Sequence, residues 1–218
     1  MKPRETSFSQ DKMDWPAKDD ADTLVKKEIF EKVKNPEELS VYLRDNLEYG
    51  FVGKNDRKLH TPGDSDWNDA FLKEYYLQTP DELLSSKHGV CWDSVELERD
   101  WFLKHNFEFK TFYLGFKKEA DNDLPTHTFL AYKNNDKWYW FEQSFADHRG
   151  IHEYNDLPEL IKDVSRKHFD YAIKNRGAIT EDINDLKYCE YERPKPGCSA
   201  EEFVSTIFEN NPPIDLES

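Results

Sequence analysis

The stretch between residues 107 and 145 constrains the fold more than any other. Residues 107–116 are rich in aromatics and poor in turn formers, as β-strands are. Residues 126–133 and 137–145 repeat that character on either side of Asn134-Asn135, which reads as a hairpin turn. Trp138, Tyr139, Trp140 and Phe141 follow one another without a polar break, as in a strand buried on both faces. A meander of this kind needs helices to cover it, and the flanking sequence supplies them.

Upstream, a helix is expected over residues 23–33. Asn35-Pro36-Glu37-Glu38 opens another, with Asn as cap, Pro in the first turn and acids facing the positive end of the dipole. Leu39, Tyr42, Leu43 and Leu47 give it an apolar stripe, and it stops near Gly50. Residues 53–66 read as a loop and 67–77 as a helix. Thr79-Pro80-Asp81-Glu82 starts a short helix ending at Lys87-His88-Gly89, and residues 92–104 form a longer amphipathic one. Downstream, Asn155-Asp156 caps a helix over 157–174, and Ser199-Ala200-Glu201-Glu202 is a capping box before 203–209. Helices, then strands, then helices describe one α+β domain. The expected organisation is a mobile leader over 1–20 and a single domain over 21–218, with its core at about 35–165 and a helical extension over 166–218.

Charge and composition narrow the function. With 30 Lys+Arg against 45 Asp+Glu the net charge is −15, and no basic cluster is present to hold a phosphate backbone. Nucleic acid and anionic membrane are therefore excluded as expected partners, and no run reaches the ~18 apolar residues of a membrane span. The 15 Phe, 11 Tyr and 6 Trp are a burial payload that disordered chains lack. Three cysteines make no disulfide framework. With no apolar stretch after the basic start, a cytoplasmic protein with reduced thiols is expected, and Cys189 and Cys198 read as inert thiols.

Cys91 carries the chemistry. Gly89-Val90-Cys91-Trp92-Asp93 puts it after a glycine turn at a helix start, where free backbone N–H groups and the helix dipole stabilise a thiolate. A hairpin centred on Asn134-Asn135 sets His127 directly opposite Glu142, and opposed side chains share a face with Cβ atoms about 4.5–5.5 Å apart. The imidazole then gives one nitrogen to the carboxylate and keeps the other for a third group, the base-and-orienter half of a nucleophilic triad. Phe129, Ala131, Trp138 and Trp140 alternate onto the same face.

In these three pieces and their order the chain resembles the transglutaminase-like cysteine-enzyme superfamily, with its papain-like core. Gly89-Val90-Cys91-Trp92-Asp93 matches the nucleophile segment, Thr126-His127-Thr128-Phe129 the histidine strand, and Trp140-Phe141-Glu142-Gln143-Ser144 the strand bearing the acid. The resemblance implies an antiparallel sheet packed on helices, with Cys91 at the N-terminus of a core helix. It also implies a hydrolase or acyltransferase acting on peptide or amide bonds through a thioester, with a peptide or protein substrate. Cys91 would be nucleophile, His127 base and Glu142 orienter. Glu142 stands where the family usually has Asp, so a catalytically inactive peptide-binding module is the alternative, and Asp147 is the fallback orienter. Nothing matches a calcium region, so neither metal nor cofactor is expected. The Cys91 backbone N–H would supply one oxyanion donor, with Gln78 and Trp92 as candidates for the other.

Other histidines have plainer readings. His88 is too close to Cys91 in sequence to align as its base. Asp147-His148 and His152-Glu153 are a weak zinc pattern interrupted by Arg149-Gly150. His60, His105 and His168 read as surface or interface residues.

Overall fold

In the computed structural model, residues 20–116, 125–210 and 214–215 are described. The expected leader lies outside them except for Asp20, the first residue of α1 (Asp20–Lys32). Next comes α2 (Pro36–Asn46), capped by the Asn35 side chain, which accepts the Glu38 N–H at 2.8 Å. Short strands β1 (Glu48–Tyr49), β2 (Phe51–Val52) and β3 (Leu59–His60) lead to α3 (Trp67–Glu74). The helix start expected at Thr79 is a capping box that opens α4 (Pro80–Ser86). Strand β4 (His88–Gly89) then turns the chain into α5 (Cys91–Lys104).

The meander follows as β5 (Glu108–Phe116), β6 (His127–Asn134), β7 (Lys137–Glu142) and β8 (Gly150–Tyr154). Helix α6 (Leu157–Arg176), strand β9 (Leu186–Glu190), helix α7 (Ala200–Asn210) and strand β10 (Ile214–Asp215) complete the order. Six strands pair antiparallel in the order β10-β9-β5-β6-β7-β8.

Alternation along β6 divides the core. Leu130 and Tyr132 pack with Leu97, Trp101 and Phe102 of α5, while Phe129 and Ala131 pack with Leu160 and Val164 of α6. The sheet is therefore covered on both faces, which is why β7 lacks an alternating polar pattern. A third cluster, with Phe51, Tyr75, Trp92 and Phe203, gathers around the start of α5. There the Trp92 and Phe203 rings stack with centroids 4.0 Å apart.

Three expectations are corrected. The β6–β7 turn is Asn135-Asp136, flanked by the pair Asn134↔Lys137, not Asn134-Asn135. Both turn residues have positive φ, 48° and 63°, as the favoured two-residue hairpin requires, and Asn and Asp tolerate that region better than other non-glycine residues. The register moves by two residues, so face parity survives while His127 and Glu142 become diagonal neighbours rather than opposed ones.

The helix at 67–77 ends at Glu74. Tyr76 instead bridges to Ser199, and Leu77 exchanges backbone hydrogen bonds with Cys198 and Gly197. The extension over 166–218 is not wholly helical. Its β9 pairs with β5 from Phe112↔Glu190 to Phe116↔Leu186, inside the sheet.

Replacing Asp136 by Gly removes one left-handed non-glycine residue from the turn. Urea unfolding should show the variant about 0.5–1 kcal/mol more stable; a loss of stability would contradict the turn assignment.

Candidate active site

Glu142, the last residue of β7, is 2% exposed, and its carboxylate is saturated with hydrogen bonds. Oε2 meets His127 Nε2 at 2.8 Å and accepts from Trp140 Nε1 at 3.0 Å, while Oε1 accepts the backbone N–H groups of Ser144 and Phe145, both at 2.7 Å. Burial pushes its pKa up, but the His127 charge and these hydrogen bonds outweigh burial and hold it below the ordinary glutamate value.

His127 opens β6. Burial lowers its pKa, but the Glu142 charge and side-chain hydrogen bonds with Cys91 and Glu142 raise it overall, to about 10. Because Nε2 is committed to Glu142, Nδ1 is the ring's remaining nitrogen. The ring is flanked by Phe145 and by His168, with centroids at 5.7 and 5.8 Å. His168 is itself buried, its Nε2 meeting the Pro125 carbonyl at 3.0 Å. Burial and the His127 charge push its pKa down to about 3, so it is a neutral wall beside a charged neighbour.

Cys91 is the first residue of α5 and 4% exposed. Its turn is tied down from within the helix, since Asp93 Oδ2 accepts the Val90 N–H at 2.9 Å. Asp93 Oδ1 accepts the Gln78 N–H at 2.9 Å and the Tyr75 hydroxyl at 3.1 Å. Burial lifts the pKa of Asp93 to about 7 against these bonds. Gly89 lets the chain pass close by, since a Cβ there would lie 2.4 Å from Leu83 Cδ1 and 3.1 Å from Asp93 Cβ and would force the Leu83 side chain to move.

Two participants were invisible to sequence reasoning. Tyr49, on β1, lines the cleft together with Cys91, and burial, aided by Cys91, raises its pKa well above the usual phenol value. Glu98 lies two helical turns below Cys91, 1% exposed, with Oε2 unpartnered. Burial, aided by the nearby Glu142 charge, raises its pKa well above the glutamate norm. No local motif announces either residue; only the tertiary fold brings them in.

The remaining candidates separate from this group. Asp147 is exposed on a single 3₁₀ turn (Ala146–His148). The Gln78 amide donates to the His88 carbonyl at 2.8 Å and accepts from Ser86 Oγ at 2.9 Å, which occupies it elsewhere. Trp92 lines the cleft. His88 Nδ1 meets the Ser86 carbonyl at 2.7 Å, and His152 Nε2 meets the His148 carbonyl at 2.7 Å. His60 and His168 are buried at 2% exposure rather than surface residues. Cys189 and Cys198 are free and buried, and burial pushes both thiols up to about 12.

Cys91 and His127 open onto a cleft of about 1010 Å³. Tyr49, Trp67, Phe71 and Leu72 give it an apolar wall, while Arg149, Lys174 and Arg176 are set on its lining with Asp147 and Glu201. Its local charge is thus less acidic than the chain as a whole.

This arrangement is an α+β domain with a cysteine heading a core helix beside a histidine–glutamate pair on an antiparallel sheet. The chain belongs to the transglutaminase-like domain family, whose model matches residues 24–167. No curated protein matches it. Among the described residues no helix is long and apolar enough to cross a membrane.

The raised His127 pKa contributes stability that is full below 6.5 and lost as pH rises toward about 10. The lowered Glu142 pKa contributes stability that is present above 4.5 and lost as pH falls through its folded value. Urea titrations of wild type and Glu142→Gln should therefore differ most between pH 5 and 6.5, with the gap narrowing toward pH 9. A gap that widens with pH would refute the charged pair.

Proposed function

We propose that the domain is a cysteine-dependent hydrolase or acyltransferase acting on peptide or amide bonds. The observation that carries this reading is the saturated Glu142 carboxylate. It holds His127 by Nε2 at 2.8 Å and leaves Nδ1 to serve Cys91, which lines the same cleft. Glutamate in place of the family's usual aspartate is no obstacle in that geometry, because the diagonal register is spanned by the longer side chain.

In the mechanism, the proton given up by Cys91 is already held on His127 when the sulfur attacks, and Glu142 stabilises that imidazolium. The thiolate carbon–sulfur bond forms at the amide carbonyl, and the carbonyl π electrons move onto oxygen. Collapse of that oxyanion expels the amine, which takes its proton from His127, and leaves a thioester. Water then releases a carboxylic acid, or a second amine forms a new amide, and in both cases His127 removes the incoming proton. The Cys91 backbone N–H at the start of α5 is one oxyanion donor. The Tyr49 hydroxyl replaces Gln78 as the candidate for the second, since it reaches Cys91 and lines the cleft.

A second reading has its own support. Cys91 is only 4% exposed, and family membership assigns a domain class without assigning turnover. On that reading the cleft binds a peptide and Cys91 performs no chemistry.

Peptide-resolved alkylation across pH 4–9 separates the two. The catalytic reading expects Cys91 alone to react rapidly below pH 7 and to lose that reactivity in His127→Ala. With a peptide library and a fluorescent primary amine, Cys91→Ser should lower cleavage or amine incorporation by about 10³-fold or more, and Tyr49→Phe by about 10–100-fold. A wild-type protein that binds peptides equally well with Cys91→Ala and turns none over establishes the binding module instead.

A further inference from the structure

The segment joining β2 to α3 holds a group of polar side chains remote in role from Cys91. His60 is 2% exposed and stacks on Phe51, with centroids 4.8 Å apart and planes 18° from parallel. Its Nε2 meets Asp56 Oδ2 at 3.0 Å. Its Nδ1 is buried and has no hydrogen-bond partner. With Nε2 donating to Asp56, Nδ1 carries a bare lone pair, an arrangement that buried polar atoms rarely adopt without a ligand.

Two carboxylates stand beside that ring. One His60 ring nitrogen and one oxygen from each of Asp64 and Asp66 lie within 4.8 Å of one another. Asp64 is fixed by the Thr61 N–H, which it accepts at 2.7 Å. Asp66 occupies the cap position of α3 yet makes no side-chain capping bond, the role a carboxylate there ordinarily fills. Asp56 stands outside the group of three and bonds Nε2. That is how a second carboxylate orients and strengthens a metal-binding histidine.

We propose that His60, Asp64 and Asp66 bind a divalent transition-metal ion, zinc in particular, with Asp56 as the positioning residue. The donor set selects the ion. An imidazole nitrogen suits zinc and its first-row neighbours, whereas calcium and magnesium take all-oxygen shells. Two carboxylates balance the charge of the ion and outweigh the positive end of α3. Lys58 Nζ, 3.8 Å from Asp66 on the exposed side, gives way when the ion enters. The bound ion ties the β2–β3 hairpin to the first turn of α3, the helix whose Trp67 and Phe71 line the cleft.

The test is calorimetric titration of the full chain with ZnCl₂ at pH 7, in wild type and in Cys91→Ser, because a thiol beside an imidazole is itself a zinc ligand. One equivalent should bind in both proteins. Asp64→Asn and Asp66→Asn should each weaken binding by about 10-fold or more and Asp56→Asn by about 10–100-fold. These three positions are only partly buried or exposed, so the variants remain informative where His60→Ala fails to fold. Co²⁺ should give visible absorption that the same variants abolish. The proposal is overturned if zinc does not bind, if binding vanishes in Cys91→Ser, or if the aspartate variants leave it unchanged. It is equally overturned if Ca²⁺ or Mg²⁺ binds as tightly as zinc.

Discussion

An ionised carboxylate out of contact with water is costly unless its oxygens are occupied, and Glu142 meets that requirement completely. Half of its partners are side chains on the sheet and half are backbone N–H groups of the turn just beyond β7. That turn therefore has to follow Glu142 at once, and the strand has to end there. Such a carboxylate can keep an imidazole charged in a buried place. The ring orientation of His127, and which of its nitrogens is left over, follow from this anchoring.

The surrounding charges are arranged so that the pair is not cancelled. His168 packs beside His127 but stays neutral, so no second positive charge competes for Glu142. Glu98 lies within electrostatic reach of Glu142 and Cys91, and burial pushes it well toward its uncharged form. Two residues earlier on α5, Glu96 is buried too, but it is ion-paired with Arg99 and Arg193 at 3.1 and 2.7 Å. The two buried acids of one helix thus differ in whether an arginine reaches the carboxylate.

The order of elements was legible because caps and alternation are local. Asn35, Thr79, Asp156 and Ser199 all accept the hydrogen bonds their sequence contexts imply. The association of His127 with Glu142 was legible for a subtler reason. The turn was placed one residue early, yet a register displaced by an even number keeps both side chains on one face. What could not be read is what depends on distant partners. His60 and His168 gave no sign of burial, since nothing local shows that Phe51 or His127 will stack on them. Tyr49 reaches Cys91 only because β1 pairs in parallel with β4, just before α5. The strand β9 was missed because residues 186–190 lack a long alternating run, and their pairing with β5 is a long-range event.

That pairing bears on where the domain can be cut. The family match ends at residue 167, inside α6, whereas β9, Tyr191 and α7 follow it. Tyr191 accepts through its carbonyl from Thr111 Oγ1 at 2.7 Å, and β9 occupies the side of β5 that β6 does not. A protein shortened to the matched span would present residues 112–116 of β5, Phe112, Tyr113 and Leu114 among them, as an unsatisfied edge. Bare edges of that kind recruit the strands of other molecules, so the shortened form would self-associate through β5 rather than persist as an isolated folded unit.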